Sequence, residues 1–457
     1  MSDSSAAKRN TAPAGPASTQ RVRRRFTPAQ RDPFFLPDDE IELPSPPPLQ
    51  GSAPQLNLLM TLLSPALMIG MSLLTALLTG GKNLAMILPM LGIGLAMPLA
   101  NIIGTNVQKK KWDESLVERE NAYKQRLEKE RARLKKLAEE QRAVLEKTYP
   151  LLETLKRSAK TQDRLLWSRR PHDEDFLSLR LGLGYDAPSF KIVPPRSANE
   201  TEPLNALPKK LLAEFEKLAN VPRLLPLGQS GSLAVSGRNP AAVFGAARRL
   251  MLDILVLHSP QDVHVFVLGD NPEAEKRWEW LKWVPHTDAL GGAQKVSRLA
   301  YTPQNIEKTL EFLMKELTGR TKSSGGSDTK KGRTPAMVVL VDDTGRVRAR
   351  EDVIRLTELG ADAGIHLIFA GGREWPRECK SRIDLVDDRR YKFIETWSRD
   401  RAGHEGIYEI ASPQDCEETA RALGGIEAAS SQTSIPLPKS IRLSEVIGVE
   451  DFSAETG

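Results

Sequence analysis

Two uncharged, mostly apolar runs stand near the start of the chain, Leu56 to Leu78 and Leu84 to Val107, separated by Gly80-Gly81-Lys82-Asn83. Each is about 20 residues or slightly longer, which as a helix covers roughly 30 Å of hydrocarbon. The pattern predicts a two-helix transmembrane hairpin within 51–107, with spans over 56–78 and 84–106. Pro65, Pro89 and Pro98 are tolerated in such spans, and Gly92, Gly94 and Ala96 would let helices approach closely. Arg21, Arg23, Arg24 and Arg25 precede the first run and Lys109, Lys110 and Lys111 follow the second. By the positive-inside rule both termini are then cytoplasmic in a multi-pass protein of the inner (plasma) membrane. The alternative is a hydrophobic hairpin buried in a folded domain.

From Trp112 to Tyr149 the pattern changes to Glu, Lys, Arg, Ala and Leu without Gly or Pro, a strongly helical composition. It predicts a helical stalk over 108–149 that reaches on the order of 55–60 Å at about 1.5 Å per residue. Leu116, Tyr123, Leu127, Leu134, Leu137 and Val144 recur close to a heptad seam, which Glu130 and Gln141 interrupt. Two readings stand. One is a solvated helix held by its own propensity; the other is an arm that packs on partner subunits, with Leu116, Tyr123, Leu127 and Leu134 as contacts. Ahead of the runs, residues 1–50 are rich in Ser, Ala, Pro and Arg, and read as a disordered tail.

Beyond Pro150, short β-rich runs alternate with amphipathic stretches, which predicts an α/β domain over 150–430 with a parallel sheet and crossover helices. Strands are expected at Leu233–Val235, Val263–Leu268, Met337–Val341 and His366–Ala370. Helices are expected at Ala241–Leu257, Ile306–Leu317, Asp352–Gly360 and Cys416–Leu423, and a loop at Lys322–Thr334. Strand, turn and helix over 233–257 have the outline of a nucleotide-binding unit. A phosphate loop needs G-x-x-x-x-G-K-[ST], because glycine N–H groups, a lysine and a hydroxyl together hold phosphate and Mg²⁺. The turn instead reads Gly237-Arg238-Asn239-Pro240-Ala241-Ala242, and Pro240 removes one N–H donor. The run Met337 to Val341 ending in Asp342-Asp343 resembles a Walker B strand, whose acids position Mg²⁺ or water; a plain acidic strand end is the bland reading. Gly237, Arg238, Asp342 and Asp343 are therefore candidates for a degenerate nucleotide site, with no catalytic set. Trp278, Trp280 and Trp283 admit two readings: a docking surface for partner or substrate, with Trp278 the candidate contact, or Trp280 and Trp283 packed into the core with Trp278 covering a loop, which is preferred.

Charge and cysteines narrow the classes. The 457 residues carry 65 Lys and Arg against 59 Asp and Glu, a net +6. This excess is mild and not gathered into a nucleic-acid footprint. Cys379 and Cys416 give neither metal spacing nor a disulfide framework, which fits a reducing compartment. The six histidines are scattered without ligand spacing.

Several segments in one order then resemble the N-terminal half of the EccC/EssC-type ATPases of type VII secretion, in the FtsK/SpoIIIE superfamily. They are Pro46 to Leu49, the hairpin with its GGKN turn, and Leu166-Trp167-Ser168-Arg169-Arg170-Pro171 running through Asp175-Phe176-Leu177 to Leu179–Gly184. Further on come His258-Ser259-Pro260, Trp278–His286 and Gly364–Ile368. The resemblance implies a transmembrane hairpin, a stalk and a degenerate P-loop-like (FtsK-type) α/β domain, with 431–457 as a linker toward a missing ATPase domain. It implies a membrane anchor, stalk and coupling domain of a secretion motor, without a competent site of its own; Mg·ATP belongs to the full-length protein. Other membrane subunits, WXG100-type substrates acting through the missing domains, and a hexameric homo-oligomer are the implied partners. The alternatives are a nucleotide-binding regulatory domain or weak ATPase, and an FtsK-like DNA translocase component.

Overall fold

The computed structural model describes residues 23–31, 33–49, 51–55, 58–78, 84–196, 203–288, 296–323, 334–342, 345–371, 374–395 and 404–429. Arg21, the GGKN turn, most of the Lys322–Thr334 segment, Asp343 and the 431–457 linker lie outside these residues. The chain divides into two compact units. One comprises residues 1–34, 145–185 and 219–457; the other comprises 35–144 and 186–218.

In chain order the strands are β1 (Arg24–Phe26), β2 (Glu40–Glu42), β3 (Ser178–Asp186), β4 (Lys191–Val193), β5 (Leu218–Pro226), β6 (Ser232–Gly237) and β7 (Val263–Leu268). They continue with β8 (Leu299–Ala300), β9 (Ala336–Asp342), β10 (Ile365–Ala370), β11 (Ser381–Leu385), β12 (Arg390–Glu395), β13 (His404–Tyr408) and β14 (Ile426–Ala428). The helices are α1 (Leu58–Leu78), α2 (Leu84–Thr148), α3 (Leu152–Thr161), α4 (Ala206–Glu214) and α5 (Leu227–Ser230). After them come α6 (Pro240–Leu257), α7 (Pro272–Trp278), α8 (Pro303–Ser323), α9 (Glu351–Leu359) and α10 (Pro413–Gly424).

The larger unit is built on a sheet in the order β5-β3-β13-β12-β11-β6-β10-β9-β7-β8. From β11 to β8 neighbouring strands are parallel. The other half is antiparallel where β11, β12, β13 and β3 meet. The parallel strands form because Val263–Leu268 and Met337–Val341 are near-continuous β-branched and apolar runs, suited to a sheet covered on both faces. Helix α6 covers one face with Met251, Leu252, Ile254 and Leu255 fully buried, each worth about 1.5–3 kcal/mol of transfer free energy. Leu310 and Leu313 of α8 and Val353 and Leu356 of α9 cover the other. All four expected strands and all four expected helices of this domain are present, with modest extensions.

The antiparallel half was not expected. Glycine at 182 is demanded there, because with φ +149 a Cβ would sit 2.0 Å from the Ile407 carbonyl oxygen across the strand pair.

The smaller unit corrects three expectations. Segment 35–49 is not a free tail: β2 pairs in parallel with β4, and Ile41 and Leu43 are buried. (In the larger unit, likewise, β1 pairs with β14.) Nor is the helix seam left open for partners. Tyr123, Leu127, Leu134 and Leu137 are buried within this chain, and the Tyr123 hydroxyl donates to the Pro44 carbonyl at 2.9 Å. Gln141 is a built contact rather than an interruption: its amide donates to Ala187 O at 3.2 Å and accepts from Ser189 N–H at 2.9 Å. Leu116 is half-buried.

The third correction is the membrane hairpin. Among the described residues no helix is long and apolar enough to cross a membrane. An uncharged run is not a uniformly apolar one. The first contains Thr61, Ser64, Pro65, Ser72 and Thr75, and the Ser72 and Thr75 hydroxyls fall back on the Met68 and Met71 carbonyls. The second run does not end near 106. With no proline between Pro98 and Tyr149, and only the single Gly104, it propagates into the charged stretch as one helix of 65 residues. The transmembrane spans, and the multi-pass inner-membrane placement read from them, are therefore not carried by this structure.

Candidate functional site

Numbered along the chain, the five long parallel strands β6, β7, β9, β10 and β11 lie in the order five-one-four-three-two. In open α/β sheets of this kind ligands bind beyond the carboxyl ends of the strands, where the order reverses. Here that is the end of β6 at Gly237, with the end of β9 at Asp342 two strands away.

The β6 end is closed. Only Arg238 and Asn239 separate the strand from Pro240, the first residue of α6. The Asn239 side chain accepts from the Ala241 N–H at 3.0 Å, so the helix caps itself. Pro240 supplies no donor. A Cβ on Gly237 would meet Leu385 at 2.9 Å, so the glycine answers packing against β11 rather than an approaching phosphate. Arg238 is exposed to solvent.

Asp342 is buried and already occupied. One carboxylate oxygen accepts from the Trp278 indole N–H at 2.7 Å and also pairs with the Arg277 guanidinium. Arg277 in turn stacks 3.6 Å above the Phe244 ring. A charge that would face Mg²⁺ in a competent nucleotide site is thus neutralised by its own domain. Among the described residues the fit to Mg·ATP is poor: the β6–α6 turn offers no backbone cradle, and Asp342 is spoken for. Gly237 and Arg238 lie at the end of β6 while Asp342 ends β9, two strands away, and Trp278 is fully buried rather than a surface contact. Its partner Trp280 is also buried, while Trp283 is half-buried.

The chemistry of this domain is concentrated elsewhere, at the C-terminal end of α2. Three successive carbonyls there accept from three fully buried arginines. Arg169 Nη2 donates to Thr148 O at 3.1 Å, Arg180 Nη1 to Tyr149 O at 2.6 Å, and Arg249 Nη2 to Pro150 O at 2.9 Å. The Thr148 and Tyr149 carbonyls are ones that a helix end leaves without partners, at the negative pole of its dipole; Pro150 lies just beyond it. The guanidinium charges are balanced by Asp175, 3.3 Å from Arg169, and by Asp253, 2.7 Å from Arg249. Glu409 lies 2.7 Å from Arg180 and 3.2 Å from Arg249. Burial works against the Arg249 charge, but Asp253 and Glu409 outweigh it and raise its pKa. Burial likewise opposes the Asp175 charge, yet the bond from Arg31 and the Arg169 charge hold it below the usual carboxylate range. Arg31 completes this set with bonds of 2.6 and 2.8 Å to Asp175.

The segment from Leu166 to Gly184 builds the clamp. Trp167 donates its backbone N–H to Val256 O and its indole N–H to Leu255 O, and Arg169 N–H reaches Leu257 O, which satisfies the end of α6. To do so Trp167 and Leu177 adopt positive φ, 53° and 55°, a strain of order 1–3 kcal/mol each that only a tightly packed surround sustains. The Leu177 N–H donates to His258 Nε2 at 3.1 Å. Full burial lowers the His258 pKa to about 3, so the ring is a neutral acceptor. Arg169 and Arg180 were visible in the sequence only as part of a motif, and Arg249 and Glu409 not at all.

No family model matches the chain. Curated relatives are found. ESX secretion system protein EccC of Geobacillus thermodenitrificans is 26% identical over 345 residues, 74% of this chain and 22% of that protein. EccC of Thermomonospora curvata is 27% identical over 310 residues, 64% of this chain and 22% of that protein. ESX-4 secretion system protein EccC4 of Mycobacterium tuberculosis is 33% identical over 152 residues, 31% of this chain and 12% of that protein. The resemblance to EccC and EssC proteins is thereby borne out, and the chain spans about a fifth of the length of the first two relatives. Among solved structures, EssC (ATPases 2 and 3) from Geobacillus thermodenitrificans matches 57% of this chain and 52% of its own, at 15% identity and a TM-score of 0.38. The cytoplasmic domain of Thermomonospora curvata EccC matches 58% of this chain and 32% of its own, at 12% identity and a TM-score of 0.35.

Proposed function

We propose that this chain is the non-catalytic coupling segment of a type VII secretion motor protein. Its α/β domain keeps the strand order of a nucleotide-binding fold without a competent site, and holds residues 148–150 with three buried arginines. The observation that carries this reading is the arginine clamp. Three buried cations on one helix end are costly to desolvate unless paired, and a helix merely resting on a domain has no need of them. The named relatives support the secretion context. In such a protein, ATP hydrolysis belongs to further domains, and other secretion subunits and an oligomer of this chain are the partners proposed.

A weak ATPase is the poorer reading, because Asp342 is held by Arg277 and Trp278. The test is uncoupling. In a full-length motor carrying this segment, replacing Arg249 and Asp253 together by Met and Leu should leave ATP hydrolysis intact while export of substrate falls. Unchanged export at normal protein levels would sink the coupling role.

A further inference from the structure

A cavity of ≈ 450 Å³ opens between α6, the 3₁₀ turn after α7, and α10. Two of its lining side chains hold donors without acceptors. Arg248 is half-buried; its Nη1 donates to Ala411 O at 3.0 Å, but its Nε meets no acceptor among the described residues. No carboxylate among the described residues lies within ion-pair distance of it. The Trp280 indole N–H, on a side chain only 5% exposed, is likewise without an acceptor among the described residues. Burial is the main influence on Arg248 and lowers its pKa; Cys416 opposes this and Arg277 reinforces it. Both atoms are themselves occluded, so a ligand would engage the remaining guanidinium surface of half-buried Arg248.

The remaining cations are available in different degrees. Arg277 is committed to Asp342. Lys276, Lys282 and Arg421 are exposed and, among the described residues, form ion pairs with neighbours on their own helix or turn, Glu273, Glu279 and Glu417. Such exposed pairs exchange partners readily. Trp283 offers an aromatic face already flanked by cations, with Arg421 4.8 Å and Lys282 5.3 Å from its ring.

We propose that this cavity binds an acidic peptide segment of a partner protein, one carboxylate meeting Arg248 and a neighbouring apolar side chain lying against Trp280 and Trp283. The charge pattern favours a peptide over a nucleotide. Glu279 and Glu417 share the lining, which suits single carboxylates set apart along a chain better than the dense charge of a polyphosphate. The proposal does not depend on the coupling role.

The probe is a synthetic decapeptide of alternating Glu and Leu, titrated into the full chain by calorimetry and tryptophan fluorescence, beside its Gln-for-Glu counterpart and inorganic pyrophosphate. The Glu peptide should bind saturably and the Gln peptide at least about tenfold more weakly, as expected for loss of charge-assisted bonds. Arg248→Gln should weaken the Glu peptide by about tenfold or more. The exposed pair Lys276→Glu and Lys282→Glu, which leaves the interior untouched, should weaken it as well. Equal binding of both peptides, no saturable binding, or indifference to the Lys pair would overturn the proposal. Displacement of the peptide by equimolar pyrophosphate would also overturn it, in favour of a phosphate ligand.

Discussion

Replacing Arg249 by Met tests the clamp where its energetics are best defined. Arg249 and Asp253 are each 1% exposed and 2.7 Å apart. Methionine keeps most of the stem volume but strands the Asp253 carboxylate, which retains one bond, from the Arg180 N–H at 2.9 Å. Removing one partner of a buried ion pair costs about 3–5 kcal/mol, because the other charge stays buried and uncompensated. Glu409 still has Arg180, so the loss should fall in that range rather than above it. Urea unfolding followed by tryptophan fluorescence reads this directly through Trp167, Trp278 and Trp280, all buried in the same unit. Adding Asp253→Leu removes the stranded charge and should restore stability to within about 1–2 kcal/mol of the parent. The Pro150 carbonyl loses its donor in both variants, so hydrogen exchange across residues 145–155 should be faster in both, even where global stability returns. A cost below about 1 kcal/mol for the single variant, or a double variant no better than the single, would refute the reasoning.

Other outcomes follow from the same contacts. Buried and half-buried histidines should make the fold acid-sensitive: desolvation holds His258 and half-buried His264 at about 3 and His286 and His366 at about 4. With folded pKa values below the unfolded value of about 6.5, their contribution is present above that pH and lost as pH falls toward the folded values. Each should cost about 2 kcal/mol by pH 5, and melting curves that are flat between pH 7 and 5 would contradict this. Asp342→Ala should destabilise the domain by about 2–4 kcal/mol, since it orphans the Trp278 N–H and the Arg277 charge; a thermal melt unchanged from the parent would mean the acid is free for other work. Tyr123→Phe should lose about 0.5–1.5 kcal/mol, seen as faster exchange around residues 40–47, whereas an effect confined to partner binding would return the helix seam to an interface role.

What the sequence made legible was the parallel half of the sheet. Val263–Leu268, Met337–Val341 and the helices between them are continuous or periodic apolar patterns, and such signals survive without tertiary context. The antiparallel half was hidden because β3 interleaves Arg180, Gly182 and Gly184 with leucines, and its fit depends on a strand more than 200 residues away. The short strands β1 and β2 escaped notice because Arg24–Phe26 and Glu40–Glu42 have no apolar pattern and exist only by pairing with distant edges. The clamp was illegible for a related reason: nothing local marks Arg249 as buried beside Glu409. Asp342 shows the opposite error, a residue whose motif suggested chemistry and whose neighbours neutralise it. Absence of charge alone does not make the uncharged runs membrane spans: hydroxyls interrupt the first, and the second has no helix break near 106.

The most direct test of the account is calorimetric titration of Mg·ATP at millimolar concentration into the full chain. A domain whose β6–α6 connection and Asp342 are both closed predicts no binding heat beyond dilution and no shift in melting temperature. Saturable binding that Asp342→Asn abolishes would show an open nucleotide site, and would contradict the reading of this domain as a coupler without chemistry of its own.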